Sequence, residues 1–309
     1  MNNFSSLLAL PTPARAHATD DPVEVLRFAV EAFAQGSVAI ATLVEIRGGA
    51  ARSLGSHVVV SADGRYCGYV SGGCVEAAVA AEALLALEER CDRTVMFGEG
   101  SPFIDIVLPC GGGITVAIHL LRKITAIEHV LDTLKQRRPA ALRYSFVTQS
   151  LEPAEPVTRA GWQNGSFVTV YRPTTRVVLS GQTVEAQTVA RVAEVAGYDV
   201  VVWHPREVAL SGSQIIDPFT AVILLHHDLD QEAATLHVAL RSGAFYIGAL
   251  GSTRTHKRRE DQLIKSGFSE IDLSRIKAPI GVFGPTRDAS SLALSVLADV
   301  AATRLMVYA

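Results

Sequence analysis

The 309-residue sequence predicts an α/β protein: a mixed α/β N-terminal domain followed by a Rossmann-like, doubly wound parallel-sheet domain. Three observations predict this class. Short β-branched runs separated by turn residues fill the first half of the chain, and apolar strands alternate with helical patterns in the second half. A polar, proline-containing stretch at residues 171–176 lies between the halves. We therefore expect domains at residues 1–172 and 173–309.

Composition narrows the classes of function. The formal net charge is -3 and 49% of residues are hydrophobic, so the chain can bury about two cores and has no basic excess for nucleic acid. No apolar run reaches the roughly 18 residues of a membrane span. Residues 1–21 lack the pattern of a signal peptide and are predicted to be a flexible leader. We expect a cytoplasmic protein with no nucleic-acid or membrane partner.

The four cysteines favour reduced thiols. Four in a chain of this length do not make a disulfide scaffold, and their spacing matches no common zinc site. They are Cys67, Cys74, Cys91 and Cys110.

In the first domain, apolar residues at helical spacing predict a helix over residues 21–35, which starts at two aspartates before a proline. An alanine- and leucine-rich run predicts a second helix over residues 76–91. A hairpin turn signal at residues 62–65 separates two strands. The remaining elements are strands at 38–46, 57–61, 66–70, 95–97, 104–108, 114–121, 141–149 and 166–171, and a helix at 126–137.

In the second domain, strands and helices alternate as in a parallel sheet. The first unit of the pattern is a strand at 177–180, a helix at 184–196 and a strand at 200–203. Further strands are predicted at 221–225, 244–247 and 278–282, with helices at 232–241, 255–266 and 290–305.

Two cysteines lie inside glycine clusters, in Ser-Gly-Gly-Cys-Val-Glu at residues 71–76 and Pro-Cys-Gly-Gly-Gly at residues 109–113. Glycine permits positive φ and close approach of backbone to a ligand. The first cluster also precedes a helix, whose N-terminus favours an anion or a thiolate. Taken singly, each cluster is explained as a turn beside a small core residue. Two together favour a pocket that presents sulfur to a bound group.

The turn after the first strand of the second domain departs from a dinucleotide-binding fingerprint. It keeps Gly181 and a small residue at Ala186, but Thr183 replaces the glycine that admits a pyrophosphate. The second strand ends in Trp203 and His204 where an acidic residue usually binds the ribose. The pattern predicts the fold and argues against ordinary NAD chemistry.

A later loop is a stronger anion-site candidate. A strand ends in Gly248 and Gly251, and a helix is expected to begin near Thr255. Ser252, Thr253 and free N–H groups would hold a phosphate that Arg254 neutralises. The alternative for the Lys-Arg-Arg run at residues 257–259 is a solvated helix face. The His-His-Asp run at residues 226–228 is interpreted as a polar loop lining the cleft, because adjacent strand residues point to opposite faces and would not share one metal.

These motifs, in this order, resemble the xanthine dehydrogenase accessory protein family (XdhC/CoxI). The resemblance is carried by residues 71–76, by Cys110-Gly111-Gly112 and by Tyr-Ile-Gly-Ala-Leu-Gly-Ser at residues 246–252. It implies a chaperone rather than an enzyme. Such a protein binds the molybdenum cofactor, as molybdopterin or its nucleotide form, while a cysteine desulfurase-type donor adds sulfur. It then delivers the cofactor to an apo-molybdoenzyme of the xanthine dehydrogenase type. We also expect a homodimer.

The resemblance also implies site residues. Cys74 and Cys110 would flank the metal, and Glu76 would orient the site or take a proton. The full set of expected cofactor-binding residues is Gly72, Gly73, Cys74, Glu76, Cys110, Gly111, Gly112, Gly181, Gly248, Gly251, Ser252, Thr253 and Arg254.

Departures from the family pattern concentrate in the second domain. The family's Gly-Ala-Gly-His turn is Gly-Gln-Thr-Val at residues 181–184, and its acidic residue is His204. The early Gly-Ser-x-Pro-Arg loop of the first domain is Gly-Gly-Ala-Ala-Arg at residues 48–52. We therefore assign most of the function to the cysteine loops. The alternatives are a nucleotide-dependent oxidoreductase, a sulfurtransferase with Cys74 as persulfide carrier, and a scaffold for molybdoenzyme maturation.

Overall fold

The protein is described by a computed structural model, which covers residues 10–101, 111–203 and 215–308. The chain forms two compact units, Met1–Arg172 and Pro173–Ala309.

The first unit is built on a six-stranded sheet in the order β1-β4-β3-β2-β6-β5, in which every pairing is antiparallel except that of β1 with β4. A second, four-stranded antiparallel sheet has the order β8-β7-β10-β9. The strands are β1 Ala14–His17, β2 Val38–Arg47, β3 His57–Ser61, β4 Arg65–Gly68, β5 Arg93–Gly98, β6 Gly113–Leu120, β7 Ala140–Ser145, β8 Ser150–Ala154, β9 Gly161–Gln163 and β10 Ser166–Tyr171; the helices are α1 Pro22–Phe33, α2 Glu76–Glu89 and α3 Thr125–Lys135.

Alternation along β2 explains how helices cover both faces of the large sheet. Successive strand residues point to opposite faces, and the first seven residues of β2 are all buried. Ala39 and Leu43 pack into one core with α2, whereas Val38 and Ile40 pack into a second core with α1 and α3. The large sheet is therefore an apolar layer between two helical layers.

The second unit is a five-stranded, all-parallel sheet in the order β12-β11-β13-β14-β15. The strands are β11 Arg176–Ser180, β12 Asp199–Trp203, β13 Thr220–Leu224, β14 Tyr246–Ala249 and β15 Ile276–Lys277, and the helices are α4 Val184–Val195, α5 Leu229–Leu240, α6 Thr253–Lys265, α7 Glu270–Leu273 and α8 Ala289–Tyr308. Cores on both faces make this a doubly wound sheet. The predicted fold class is confirmed.

Some predicted elements differ from the structure. The strand predicted at 278–282 is wrong, because Pro279 has no N–H to donate to a ladder, and the strand is the shorter β15. The single strand predicted at 141–149 is a hairpin of β7 and β8, which turns through Gln149 at a φ of 48°. Residues 14–17, predicted to be part of a flexible leader, form β1. The helix expected near Thr255 begins at Thr253. The strand predicted at 104–108 lies outside the described residues.

One helix of the described chain, α8, is long and apolar enough by composition to cross a membrane. Its residues Leu292, Ala293, Val296 and Val300 are buried in a core of the second unit. A core helix passes the same test of length and composition, so α8 is weak evidence for a membrane span.

Candidate functional site

Three loops meet at one end of the six-stranded sheet. The chain leaves β2 at Arg47 and β4 at Gly68, and it enters β6 at Gly113, which is the sheet partner of Arg47. A Cβ on Gly112 would lie 2.4 Å from the carbonyl oxygen of Arg47 and 2.6 Å from that of Gly49. These approaches require glycine, so Gly112 is packed tightly against the end of β2 and the loop that follows it.

The first glycine–cysteine loop lies beside the same loop. A Cβ on Gly72 would lie 3.6 Å from the Cβ of Ala51, which is ordinary van der Waals contact. The loop at residues 48–56 therefore lies beside both glycine clusters. The fold brings together Gly72, Gly73, Cys74, Glu76, Gly111 and Gly112.

A buried carboxylate fixes the first loop. Glu76, the first residue of α2, is fully buried. Its Oε1 accepts hydrogen bonds from the backbone N–H groups of Val70, at 3.2 Å, and Ser71, at 2.8 Å. The Ser71 hydroxyl donates to the carboxylate and accepts from the N–H groups of Gly73 and Cys74. These hydrogen bonds to Glu76 therefore fix the conformation of the first glycine–cysteine loop.

Cys74 is exposed on this fixed loop. Gly73 beside it has a φ of 106°, and a Cβ at Gly73 would meet no atom within 4 Å. The thiol is therefore presented beside open space. Cys110 lies outside the described residues, so of the two predicted metal-flanking thiols the structure describes Cys74.

The described residues contain no group of three or more His, Cys, Asp or Glu side chains that could hold a metal ion. Side chains of the described ranges therefore do not assemble a complete coordination sphere for a metal ion.

A cavity of about 340 Å³ adjoins the loops, between residues 51–57, Tyr69 and β10. Arg52 and Asp20 form an ion pair on its wall, with Nη1 and Oδ2 2.7 Å apart. Sequence reasoning missed both as site residues because Asp20 lies in the predicted leader. The position of Arg52 in the family's early loop was the available signal.

In the second unit, the predicted turn at Gly181 lies at the carboxyl end of β11, where the strand order reverses. Open parallel sheets bind ligands at such points. Gly181 has a φ of 148°, and its Cβ would lie 2.8 Å from the carbonyl oxygen of Leu225. Thr183 accepts a hydrogen bond from the N–H of Ala186 and caps α4.

Buried polar contacts fill the sheet end beside this turn. The Ser180 hydroxyl lies 2.8 Å from Nε2 of His226 and 3.1 Å from the Thr235 hydroxyl. Burial lowers the pKa of His226. Its neighbour His227 is exposed, so the two rings do not face one shared site.

The predicted anion loop is held by an ion pair beneath it. Arg259 and Glu232 are buried and bonded to each other, and Nη2 of Arg259 donates to the carbonyl oxygen of Leu250 at 2.7 Å. Ser252 caps α6 by accepting from the N–H of Thr255. Thr253 and Arg254 are exposed, but they belong to the first turn of α6 and not to the loop.

Gly248 has a packing role. A Cβ there would lie 2.6 Å from both Ile280 Cδ1 and Tyr246 Cε1. Lys257 and Arg258 are exposed, as expected for a solvated helix face, whereas Arg259 is not.

Comparisons with known proteins give consistent matches. A model described as the XdhC Rossmann domain matches residues 177–300, and one for the XdhC and CoxI family matches residues 32–98. The chain is 50% identical to the molybdenum cofactor insertion chaperone PaoD of Escherichia coli (strain K12), over 95% of this chain and 92% of that protein. It is 24% identical to a probable xanthine dehydrogenase subunit of Bacillus subtilis (strain 168), over 88% of this chain and 95% of that protein. The crystal structure of a xanthine dehydrogenase from Bacillus halodurans shares the fold, with a TM-score of 0.71 at 19% identity, over 93% of this chain and 96% of that one.

Proposed function

The chain belongs to the XdhC and CoxI family, and from that premise we propose that it binds the molybdenum cofactor and inserts it into an apo-molybdoenzyme of the xanthine dehydrogenase type. The protein is then a chaperone that binds its cargo stoichiometrically and not a catalyst. Its curated relative with 50% identity bears the name of such a chaperone.

One observation carries the proposal: an exposed thiol, Cys74, stands on a rigid glycine loop at the point where three loops of the first unit converge. Molybdenum is soft enough to accept a thiolate. The cofactor brings its own ligands to the metal, which suits a protein site that contributes few. In this proposal Cys74 and Cys110 flank the metal.

The other loop residues shape the site. Gly73 and Gly111 each face open space, Gly72 lies beside Ala51, and Gly112 packs the second cluster against Arg47 and Gly49. Glu76 acts as a positioning residue, because its carboxylate is already bonded to the loop that carries Cys74.

For the second unit we propose binding of a phosphate group or a nucleotide. Gly181, Gly248 and Gly251 shape strand ends of its parallel sheet, and Ser252, Thr253 and Arg254 form the exposed N-terminus of α6. A helix N-terminus with a nearby arginine attracts phosphate.

The remaining partners follow from the same function. A cysteine desulfurase-type enzyme donates sulfur to the bound cofactor, and the chaperone works as a homodimer in the cytoplasm. Sedimentation of the purified chain tests the dimer directly.

The test is cofactor loading and transfer. The chain is purified from a host that makes the cofactor, and molybdenum and pterin are quantified for each chain. We expect near-stoichiometric loading and activation of an added apo-client. A folded wild-type chain that carries no cofactor would contradict the proposal.

An exposed thiol beside open space also suits a sulfur carrier, so a thiol-based sulfurtransferase is the second candidate. It requires a persulfide on Cys74. In that case Cys74→Ser would abolish sulfur transfer while leaving cofactor binding at the wild-type level.

A further inference from the structure

The cavity beside the cysteine loops has an uncharged floor. His57 Nδ1 lies 3.0 Å from the Thr42 hydroxyl, and Nε2 lies 2.5 Å from the Tyr171 hydroxyl. Burial lowers the pKa of His57 to about 4 and raises that of Tyr171. Both rings are therefore neutral at neutral pH, and both ring nitrogens of His57 are already bonded within the protein.

The mouth of the cavity holds one paired cation and anion. Arg52 and Asp20 form the 2.7 Å ion pair, and their side chains are 32% and 62% exposed. Further charged groups near the mouth include Arg15, whose guanidinium lies 4.3 Å from the Tyr69 ring centre, and Asp21, which caps α1. Because this mouth is charge-balanced and the floor is neutral, the cavity does not favour a phosphate.

The guanidinium of Arg52 has a hydrogen-bond donor for which the described residues provide no acceptor. Its Nε is buried and has no hydrogen-bond partner among the described residues. Leaving such a buried donor without an acceptor lowers the stability of the fold. A ligand that accepts from Arg52 and lets the side chain shift would recover part of this cost.

The apolar walls of the cavity and its volume favour a planar ring system as the ligand. Leu54, Val25 and Val170 supply apolar surface next to the two tyrosines. About 340 Å³ lies at the small end of the range for ligand sites, which is roughly 300–1,000 Å³. The cavity is thus suited to one or two fused rings with a polar edge.

An adjacent carboxylate and guanidinium recognise a specific edge. A carboxylate accepts two N–H bonds, and a guanidinium donates to a carbonyl oxygen. A 2-amino-4-oxopteridine presents its 2-amino group, its N3–H and its 4-oxo group in a row along one edge. The two N–H donors of this edge match the Asp20 carboxylate, and the adjacent 4-oxo acceptor matches the Arg52 guanidinium.

We propose that this cavity binds the pterin ring of the cofactor, with Asp20 accepting from the 2-amino group and N3–H, and Arg52 donating to the 4-oxo group. The identity of the ring rests on the proposed function. The location supports it, because Ala51 lines the cavity and also lies beside Gly72 of the first cysteine loop, 3.6 Å from where a Cβ on Gly72 would stand.

Fluorescence titration with two free ring compounds tests this inference. The first probe is 6-hydroxymethylpterin, and the second is the matching 2,4-dioxopteridine, which lacks the 2-amino donor. We expect the wild-type chain to bind the pterin at least tenfold more tightly. Asp20→Asn should weaken pterin binding at least tenfold and leave the dioxo compound within twofold, whereas Arg52→Gln should weaken both.

Asp21→Asn is the matched control, since asparagine caps a helix as well as aspartate does, and it should leave both affinities unchanged. Equal binding of the two pteridines, no binding at millimolar concentration, tighter binding of cytidine monophosphate, or an unaltered Asp20→Asn chain would overturn the inference. Retention of the intact cofactor is measured on the same variants. Equal retention by all of them would overturn the ring site and leave the chaperone function standing, whereas an empty wild-type chain would remove the chaperone function itself.

Discussion

The Glu76 carboxylate lies 2.9 Å from the Ser71 hydroxyl through each of its two oxygens, and both residues are buried. This bond joins the start of α2 to the loop that carries Cys74. The Ser71 hydroxyl also accepts hydrogen bonds from the backbone N–H groups of Gly73 and Cys74. The position of the exposed thiol is therefore set by a buried carboxylate two residues along the chain.

Glu76→Gln is expected to loosen this loop. The amide can keep its oxygen toward the backbone N–H groups, but its NH₂ group then faces the Ser71 hydroxyl, which already accepts from two N–H groups, so the free energy of unfolding should fall by about 1–3 kcal/mol. Chemical denaturation measures the loss, and cofactor retention should fall with it. Glu88→Gln, on the exposed face of the same helix, is the control and should stay within about 0.5 kcal/mol of wild type. A fully stable, fully loaded Glu76→Gln chain would contradict the positioning role.

His57 makes stability depend on pH. Burial lowers the pKa of His57 from 6.5 to about 4. Between pH 6.5 and 4, His57 is therefore protonated in the unfolded chain and neutral in the folded chain. This site should therefore cost stability as the pH falls from about 6.5 to 4, by up to about 3 kcal/mol. Denaturation of the wild type and of His57→Gln across this window measures it. The variant should show a shallower decline, and parallel curves would exclude His57 as the cause.

Arg259 should matter more than its neighbour Arg258. Removing one partner of a buried ion pair leaves the other charge unpaired, at about 3–5 kcal/mol. Arg259→Ala is expected to lose stability in this range and to release the Leu250 carbonyl oxygen at the start of the anion loop. Exposed Arg258→Ala should change stability by less than about 0.5 kcal/mol. Equal effects of the two substitutions would show that the pair does not stabilise this loop.

The sequence predicted the elements whose local pattern and tertiary environment agree. Alternating apolar strands and helices are enough to predict the parallel sheet of the second unit. The hairpin at residues 146–149 was missed because it contains neither glycine nor proline, and Gln149 adopts the left-handed conformation that its tertiary contacts impose. The strand β1 was missed because four residues beside prolines carry little strand signal, and pairing with β4 stabilises them.

Part of the candidate site could also be predicted from local sequence patterns. Glycines next to cysteines mark close backbone approach in the sequence itself, so the two loops could be named. The ring cavity could not, because Asp20 and Arg52 are distant along the chain and meet only when α1 and the loop after β2 are folded. The burial of Arg259 was equally hidden, since a Lys-Arg-Arg run has the composition of a solvated surface.

The most direct test compares two exposed thiols of the first unit, Cys74 and Cys91. Cys74→Ser and Cys91→Ser chains are purified from a cofactor-producing host, and molybdenum and pterin are quantified against wild type, with melting curves to establish folding. Of these two thiols, Cys74 is the one that stands on a glycine loop. Cys74→Ser should therefore lose about 80–90% of the bound molybdenum, which corresponds to a roughly tenfold weaker affinity for the cofactor. Cys91→Ser should stay loaded. Full loading of Cys74→Ser, or equal loss in both variants, would contradict the assignment of the cofactor to this loop.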